Sequence, residues 1–422
     1  MNAVKLGILT VVILILAQLN QWDILDKVFF TLIGALGVAF LWSWVSLRGL
    51  LVTRTQHADR AQVGQSFVER MRIQNQSRLS KLWVELIDQS ELPGHRVSRV
   101  VHLGPNDSAR WRVDTTCARR GRFRIGPMLL RGGDPFGLFP RYQLVPETHE
   151  LLVYPATVDL SAFALPVGEL PGGSAIQRRT PFITPNAAGI RDYFPGDAFN
   201  RIAWRATART GKMMVKEFEL DPTADLWIAV DMQAEVQAGA SGIASLPSLQ
   251  SDDMPLSFWL DSTEEYLVTI AASLARHFLN QNRNVGLIIN SSQHTVIPAD
   301  RGGRQMLKIL EQLAVVRADG QSTFGELLLS EGALFTRNST VIAITPSTND
   351  EWVQSIIGIL ARNVQTVAVL VEPSTFGSPN SSLITVSDLA SVNIPTYLVK
   401  YGDDISRALA SHAASGSTAA WR

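Results

Sequence analysis

Hydrophobic positions along the chain fall into three successive textures, and each predicts a different kind of element. The first is continuous: Leu6 to Leu19 and Val28 to Leu47 are almost wholly apolar, separated by Gln21-Trp22-Asp23-Ile24-Leu25-Asp26-Lys27. A helix needs roughly 20 such residues to cross a bilayer, and the second run has them. The first run is shorter. It spans by borrowing Trp22, Ile24 and Leu25, or it tilts into a hairpin, or it is a signal-peptide core, although no small-x-small cleavage site follows it. Trp22, Trp42 and Trp44 lie toward the run ends, where interfacial anchors sit. Lys5 precedes the first run, Arg48, Arg54 and Arg60 follow the second, and the loop between carries Asp23 and Asp26 against Lys27. The positive-inside rule then predicts a two-pass anchor in the cell membrane, with both ends and the folded body on the cytoplasmic side.

The second texture, over residues 51–155, is short and alternating. Phe67 to Ile73, Leu82 to Ile87, Arg110 to Asp114 and Arg122 to Ile125 read as strands. Turns at Pro93-Gly94, Gly104 to Asp107 and Gly132 to Pro135 break them, and strands at this spacing predict an all-β sandwich. Asp134-Pro135-Phe136-Gly137 is similar to a kinase magnesium motif, but no glycine-rich or catalytic loop accompanies it, so it reads as a turn.

The third texture, over residues 221–422, alternates strand with helix. Leu226 to Val230, Val285 to Ile289, Val341 to Ile344, Thr366 to Val371 and Thr396 to Lys400 are apolar strand runs; Glu264 to Asn280, Gly303 to Val316 and Glu351 to Arg362 are helical. That order predicts an α/β, doubly wound (Rossmann-like) sheet, with ligand sites at the carboxyl ends of the strands. Residues 156–220 are a connector rich in proline and glycine, ending in the densest stretch of the chain.

That stretch is Gly189 to Glu219. Pro195-Gly196 signals a turn, and Asp197 is a good N-cap, so a helix is expected to start there. On it Arg201, Arg205 and Arg209 recur every fourth residue as a cationic stripe. Gly211 stands where a C-terminal cap belongs, and Met213 to Phe218 reads as a strand. Two readings stand side by side. In one the arginines pair with Asp192, Asp197, Glu217 and Glu219 and Trp204 is a packing anchor, since buried charges need partners. In the other, arginines and Trp204 are partly exposed as a docking surface. A third, enzymatic, reading makes Asp192 or Glu217 a general base, with Arg201 or Arg205 holding an anion.

The same stretch resembles the signature of a prokaryotic family known as domain of unknown function number fifty-eight, through Arg191, Asp192, Tyr193, Gly196, Asp197, Arg201, Ile202, Trp204, Thr207, Ala208, Arg209, Lys216 and Glu217. The resemblance implies a membrane-anchored multidomain protein: an N-terminal transmembrane helical hairpin, a β-sandwich, the signature and a von Willebrand A-like domain. It also implies partnership with a MoxR-type AAA+ ATPase, often beside a transglutaminase-like membrane protein, and no known enzymatic activity. The interaction residues expected in this stretch are Arg191, Asp192, Tyr193, Gly196, Asp197, Arg201, Trp204, Arg205, Arg209, Lys216 and Glu217. A Mg²⁺-binding von Willebrand A domain carries Asp-x-Ser-x-Ser after its first strand, because a small hard cation needs close oxygens. Here the segment is Asp231-Met232-Gln233-Ala234-Glu235, with both serines replaced, and Asp350, after the strand ending at Ile344, is a further acid. A retired metal site is the expectation, with Mg²⁺ the alternative.

Composition narrows the chemistry. Lys and Arg number 38 against 38 Asp and Glu. Nucleic-acid binders normally carry a basic excess, so nucleic acid is not an expected partner. A single cysteine, Cys117, excludes an internal disulfide and a Cys-rich zinc site. Gly211-Lys212 is similar to the end of a phosphate loop, but Ala206 and Met213 stand where glycine and a hydroxyl are required. The seven histidines include no His-Glu-x-x-His, and His277 lies within an apolar helix. The sequence therefore predicts a cytoplasmic adaptor bound to the lipid bilayer and a protein partner, without a catalytic residue or cofactor.

Overall fold

A computed structural model describes residues 2–20, 23–56, 58–161, 163, 187–193, 202–218, 225–239, 260–337 and 339–410. The chain divides into two compact units, residues 1–157 with 239–272 and 310–316, and residues 158–238 with 273–309 and 317–422.

The first unit opens with helices α1 (Asn2–Asn20) and α2 (Asp23–Ser46), which touch each other. Only α2 is long and apolar enough to cross a membrane among the described residues; the apolar helix Val4–Leu19 is shorter. Phe30, Ile33, Val38, Phe40 and Leu41 of α2 are exposed, whereas Ala39 and Ser43 are buried. A helix apolar on nearly every side is stable where its surroundings are hydrocarbon. Trp22 lies outside the described residues.

Ten strands follow: β1 (Leu50–Gln56), β2 (Arg60–Gln62), β3 (Ser66–Asn75), β4 (Lys81–Asp88), β5 (Arg99–Leu103), β6 (Ser108–Thr116), β7 (Gly121–Ile125), β8 (Met128–Gly132), β9 (Arg141–Val145) and β10 (His149–Tyr154). They form sheets of order β1-β3-β6, β5-β4-β8-β9 and β2-β10-β7. Val52, Met71 and Ile73 of the first sheet share one core with Val84, Leu86, Leu103 and Leu130 of the second. Period-two alternation drives this packing, because it turns every second side chain of β3 inward. The strands legible in the sequence are β3, β4, β6 and β7.

On β3 one inward position is charged. Glu69 alternates with Phe67 and Met71 on β3 and is fully buried. Its Oε1 lies 3.4 Å from Arg54 Nε and its Oε2 lies 3.0 Å from His95 Nε2. Arg54 also donates to Asp88 Oδ1 at 2.7 Å, and His95 Nδ1 is 2.8 Å from the Thr115 hydroxyl. Buried ions are tolerated only when paired like this. In the same unit Arg120, fully buried, meets Glu264 and Glu265 and donates to the carbonyls of Leu313 and Val316 at 3.0 and 2.9 Å.

Beyond residue 187 the chain forms β11 (Ala187–Asp192), α3 (Trp204–Thr210), β12 (Met214–Phe218), β13 (Leu226–Val230), α4 (Thr263–Asn280), β14 (Val285–Asn290), β15 (His294–Asp300), α5 (Gly303–Val315), α6 (Phe324–Ser330), β16 (Thr340–Thr345), α7 (Asp350–Ala361), β17 (Gln365–Val371), α8 (Leu383–Ser391), β18 (Thr396–Val399) and α9 (Ile405–Ala410). Six strands make a sheet of order β15-β14-β13-β16-β17-β18. All neighbours in it are parallel except β15, an antiparallel edge. Helical crossovers between parallel strands impose this arrangement. Strands β13, β14 and β16 are buried along their whole length, and Trp227, Phe324, Trp352, Ile356 and Leu389 fill a core against them.

Candidate functional site

In the signature segment, β11 and β12 pair antiparallel, with Arg191 opposite Val215, Ile190 opposite Lys216 and Gly189 opposite Glu217. Tyr193 N–H extends the ribbon to Met213 O at 2.9 Å. Between the strands stands α3. Its Thr207 hydroxyl accepts from Met214 N–H at 3.1 Å, and it ends at Gly211, whose φ of 70° is the left-handed cap position that glycine adopts without strain.

The helix differs from expectation at its start. Ala203, at φ −84° and ψ 77°, is its N-cap and makes no side-chain cap bond. Ile202 is bridged to Val215, and Ala203 N–H donates to Met214 O at 2.8 Å, so the residues before Trp204 belong to the ribbon. Of the expected cationic stripe, Arg205 and Arg209 stand on α3. Gly196, Asp197 and Arg201 lie outside the described residues.

Trp204 is 66 % exposed, which corrects its assignment as a packing anchor. Ile202 and Val215, 3 % and 1 % exposed, are the apolar anchors instead. Arg205, Arg209, Lys212 and Asp192 are exposed, and Tyr193 is half-buried. The side chains of Arg191, Lys216 and Glu217 are not among those described. Helix α3 thus exposes an indole and, about a third of a turn round from it, the Arg205 and Arg209 side chains one turn apart.

A second, closed site sits at the carboxyl ends of β13 and β16, where the strand order reverses and α/β sheets commonly hold ligands. Asp231, fully buried, accepts from Thr345 Oγ1 at 2.6 Å, from Gln233 N–H at 3.1 Å and from Asn290 Nδ2 at 3.2 Å. Burial pushes its carboxyl up to about 6 from 3.8, against those three hydrogen bonds, which pull it down. Both carboxylate oxygens are engaged by protein donors. Asp350 opens α7 and makes no bond to Asp231, and no cluster of three metal-ligating side chains occurs among the described residues.

Gly320 closes this site. Its N–H donates to Met232 O and its carbonyl accepts from Ala234 N–H, both at 2.9 Å. A Cβ there would lie 1.8 Å from Asn290 O, so only glycine allows the approach. Sequence reasoning missed Asn290, Gly320 and Thr345, which stand 59, 89 and 114 residues from Asp231 and carry no local motif. The buried Arg54, Glu69, Asp88 and His95 cluster was also missed. Its signal was present: a glutamate at a core-facing position of an alternating strand.

His277 lines a cleft of about 310 Å³ with Asp159, Arg276 and Gln281. Burial lowers its imidazole pKa, with the Asp159 carboxylate opposing, and its ring meets Phe163 and Phe278. That is the packing of a structural histidine.

The described residues thus define a multidomain chain with a mostly parallel α/β sheet and a separate two-stranded ribbon that carries an exposed Trp-Arg helix. Residues 189–245 match the model of a family described as "Protein of unknown function DUF58". The uncharacterised protein YeaD of Bacillus subtilis is 24 % identical over 233 residues, covering 54 % of this chain and 50 % of that protein. The uncharacterised protein Rv1480 of Mycobacterium tuberculosis is 25 % identical over 233 residues, covering 53 % and 67 %. The chain thus spans about half the length of the Bacillus relative. Family match and relatives together support DUF58 membership. Among solved structures, the CARDB domain of PF1109 from Pyrococcus furiosus is 13 % identical, covers 25 % of this chain and 91 % of its own, and has a TM-score of 0.20, too low to bear on fold or function.

Proposed function

We propose that this chain is a membrane-anchored cytoplasmic adaptor that docks a MoxR-type AAA+ ATPase through the α3 face, and that it is not an enzyme. The observation carrying the proposal is Trp204, exposed beside Arg205 and Arg209. Tryptophan and arginine are the side chains most often found at the energetic centre of protein interfaces, and leaving an indole in water is unfavourable unless a partner covers it. The apolar α2 supports the anchor, and the basic residues after it support a cytoplasmic body. A two-pass hairpin extends that reading to α1. The strand order, 3-2-1-4-5-6 in the sheet's own sequence, supports a von Willebrand A-like domain. The hydrogen bonds that Asp231 accepts from Thr345, Gln233 and Asn290 support the reading of its cation position as retired.

Affinity purification of the full chain from detergent extract tests the proposal. Wild type should retain an AAA+ ATPase, and Trp204→Ala and Arg205→Ala should each lose most of it. Absence of any AAA+ ATPase from the wild-type eluate, or equal recovery with both variants, would count against it.

A further inference from the structure

The turn joining β8 to β9 is built with unusual rigidity for a surface loop. Asp134 is fully buried, and its carboxylate accepts from the backbone N–H groups of Phe136 at 3.0 Å, Leu138 at 3.2 Å and Phe139 at 2.6 Å. Three amides converging on one buried carboxylate fix the turn, so whatever it displays is displayed without further ordering cost. What it displays is Phe136, 70 % exposed. A single exposed phenylalanine means little by itself. The contacts that Phe139, three residues on in the same turn, makes with α2 give it meaning.

The same turn grips α2 inside the apolar span. Ser43 Oγ donates to Phe139 O at 2.6 Å, and the rings of Phe40 and Phe139 meet edge-on with centroids 5.6 Å apart. At 1.5 Å per residue, Ser43 lies about 4.5 Å and Phe40 about 9 Å before the end of the helix at Ser46. Arg48, the first cation after the span, folds its guanidinium back over the Trp44 ring at 3.5 Å, the pairing expected at the headgroup level. Phe139 therefore reaches past the level of Trp44, toward the bilayer centre. Beyond the turn, Tyr142 and Leu144 of β9 are 57 % and 56 % exposed, in alternation with exposed Arg141 and Gln143, while Val145 packs on the core.

We propose that the Asp134–Phe139 turn is a second membrane contact, seating the Phe136 side chain at the boundary between headgroups and acyl chains beside α2. This rests on the reading of α2 as a membrane span. The occupant of the turn's apolar side is lipid, because that side is continuous through Phe139 with a helix that itself requires lipid. Aromatic side chains favour that boundary, and surface-bound elements bury their apolar side to a depth of about 5–10 Å, the interval between Ser46 and Phe40. The consequence is that the sandwich does not swing on a free tether; two contacts, helix and turn, fix its tilt against the bilayer.

The single native cysteine permits a direct test. Cys117 is buried, and burial pushes its thiol up to about 12, so a maleimide reagent labels an introduced surface cysteine selectively. The full chain carrying Phe136→Cys is labelled with the environment-sensitive fluorophore NBD and reconstituted into vesicles of phosphatidylcholine with a minor fraction of phosphatidylglycerol. Glu91→Cys is the control. β4 begins at Lys81, whose Nζ donates to Val45 O at 2.7 Å, and runs to Asp88, so Glu91 lies beyond a strand of roughly 23 Å at about 3.3 Å per residue. The proposal expects blue-shifted emission at position 136, quenched more by lipid spin-labelled near the headgroup than by lipid labelled deep in the chain, and neither effect at position 91. Water-like emission at position 136 in vesicles that still carry the chain through flotation overturns the turn contact and leaves α2 as an anchor. Equal quenching at both positions also overturns it. A chain that fails to float with vesicles overturns both the turn contact and the anchor.

Discussion

Replacing Asp231 with asparagine should stabilise the α/β sheet near neutral pH and leave it nearly unchanged in acid. The buried carboxyl titrates at about 6 in the folded chain against 3.8 when free. Between those values the folded chain holds a proton that the unfolded chain has lost, so stability falls as pH rises through the window, and the loss is complete above about 6. At about 1.4 kcal/mol per pH unit, ionised Asp231 costs roughly 3 kcal/mol at pH 7.5 and under about 1 kcal/mol at pH 4. Asparagine stays neutral. Its carbonyl can keep the bonds from Gln233 N–H and Asn290 Nδ2, while its amide meets the Thr345 hydroxyl, which loses its present acceptor at a cost of about 1 kcal/mol. The net gain is about 2 kcal/mol at pH 7.5, a slowing of about 30-fold in exchange through opening of the sheet. Hydrogen exchange read by mass spectrometry on peptides covering β13 and β16 measures it. Unchanged exchange at pH 7.5, or the same slowing at pH 4 and 7.5, would refute the reasoning.

Other changes have equally definite outcomes. Glu69→Gln leaves Arg54 with Asp88 as its remaining carboxylate in the sandwich core and should cost about 1.5–3 kcal/mol, read as a lowered thermal transition with faster exchange in β1 and β3. Gly320→Ala forces a methyl into Asn290 O and Met232 O. It should raise exchange in the segment 231–234, whereas Gly211→Ala, with open space around it, strains only the left-handed cap and should cost about 1 kcal/mol. Trp204→Ala should weaken partner binding by about 2 kcal/mol, a factor of about 30 in Kd, without moving the thermal transition, because the side chain is exposed. Isothermal titration with the purified partner and a parallel melt separate those two effects.

The elements that could be read from the chain were those whose local pattern agrees with their packing. Strands β13, β14, β16 and β17 are apolar runs because both faces of a parallel sheet are covered, and α5 and α7 carry the helical period on one side. Strand β15 was hidden, since an antiparallel edge with few buried residues has neither signature. Helix α6 had a readable cue in Thr323-x-x-Glu326, a capping box with both bonds formed. The helix start expected at Asp197 lies outside the described residues; α3 begins at Trp204, because Ile202 and Ala203 bond to β12 and tertiary pairing outranks local preference. Asp231 was legible as a departure from a metal motif. Its partners were not, because a fold brings Asn290 and Thr345 to it without any mark in their own neighbourhoods.

A photo-crosslinking residue placed at Trp204 in living cells tests the docking surface and the side of the membrane together. The account predicts a light-dependent adduct with an AAA+ ATPase at position 204, absent when the probe stands instead at exposed Leu383 on α8. An adduct formed only with an extracytoplasmic protein, or an ATPase adduct of equal yield from both positions, would contradict it.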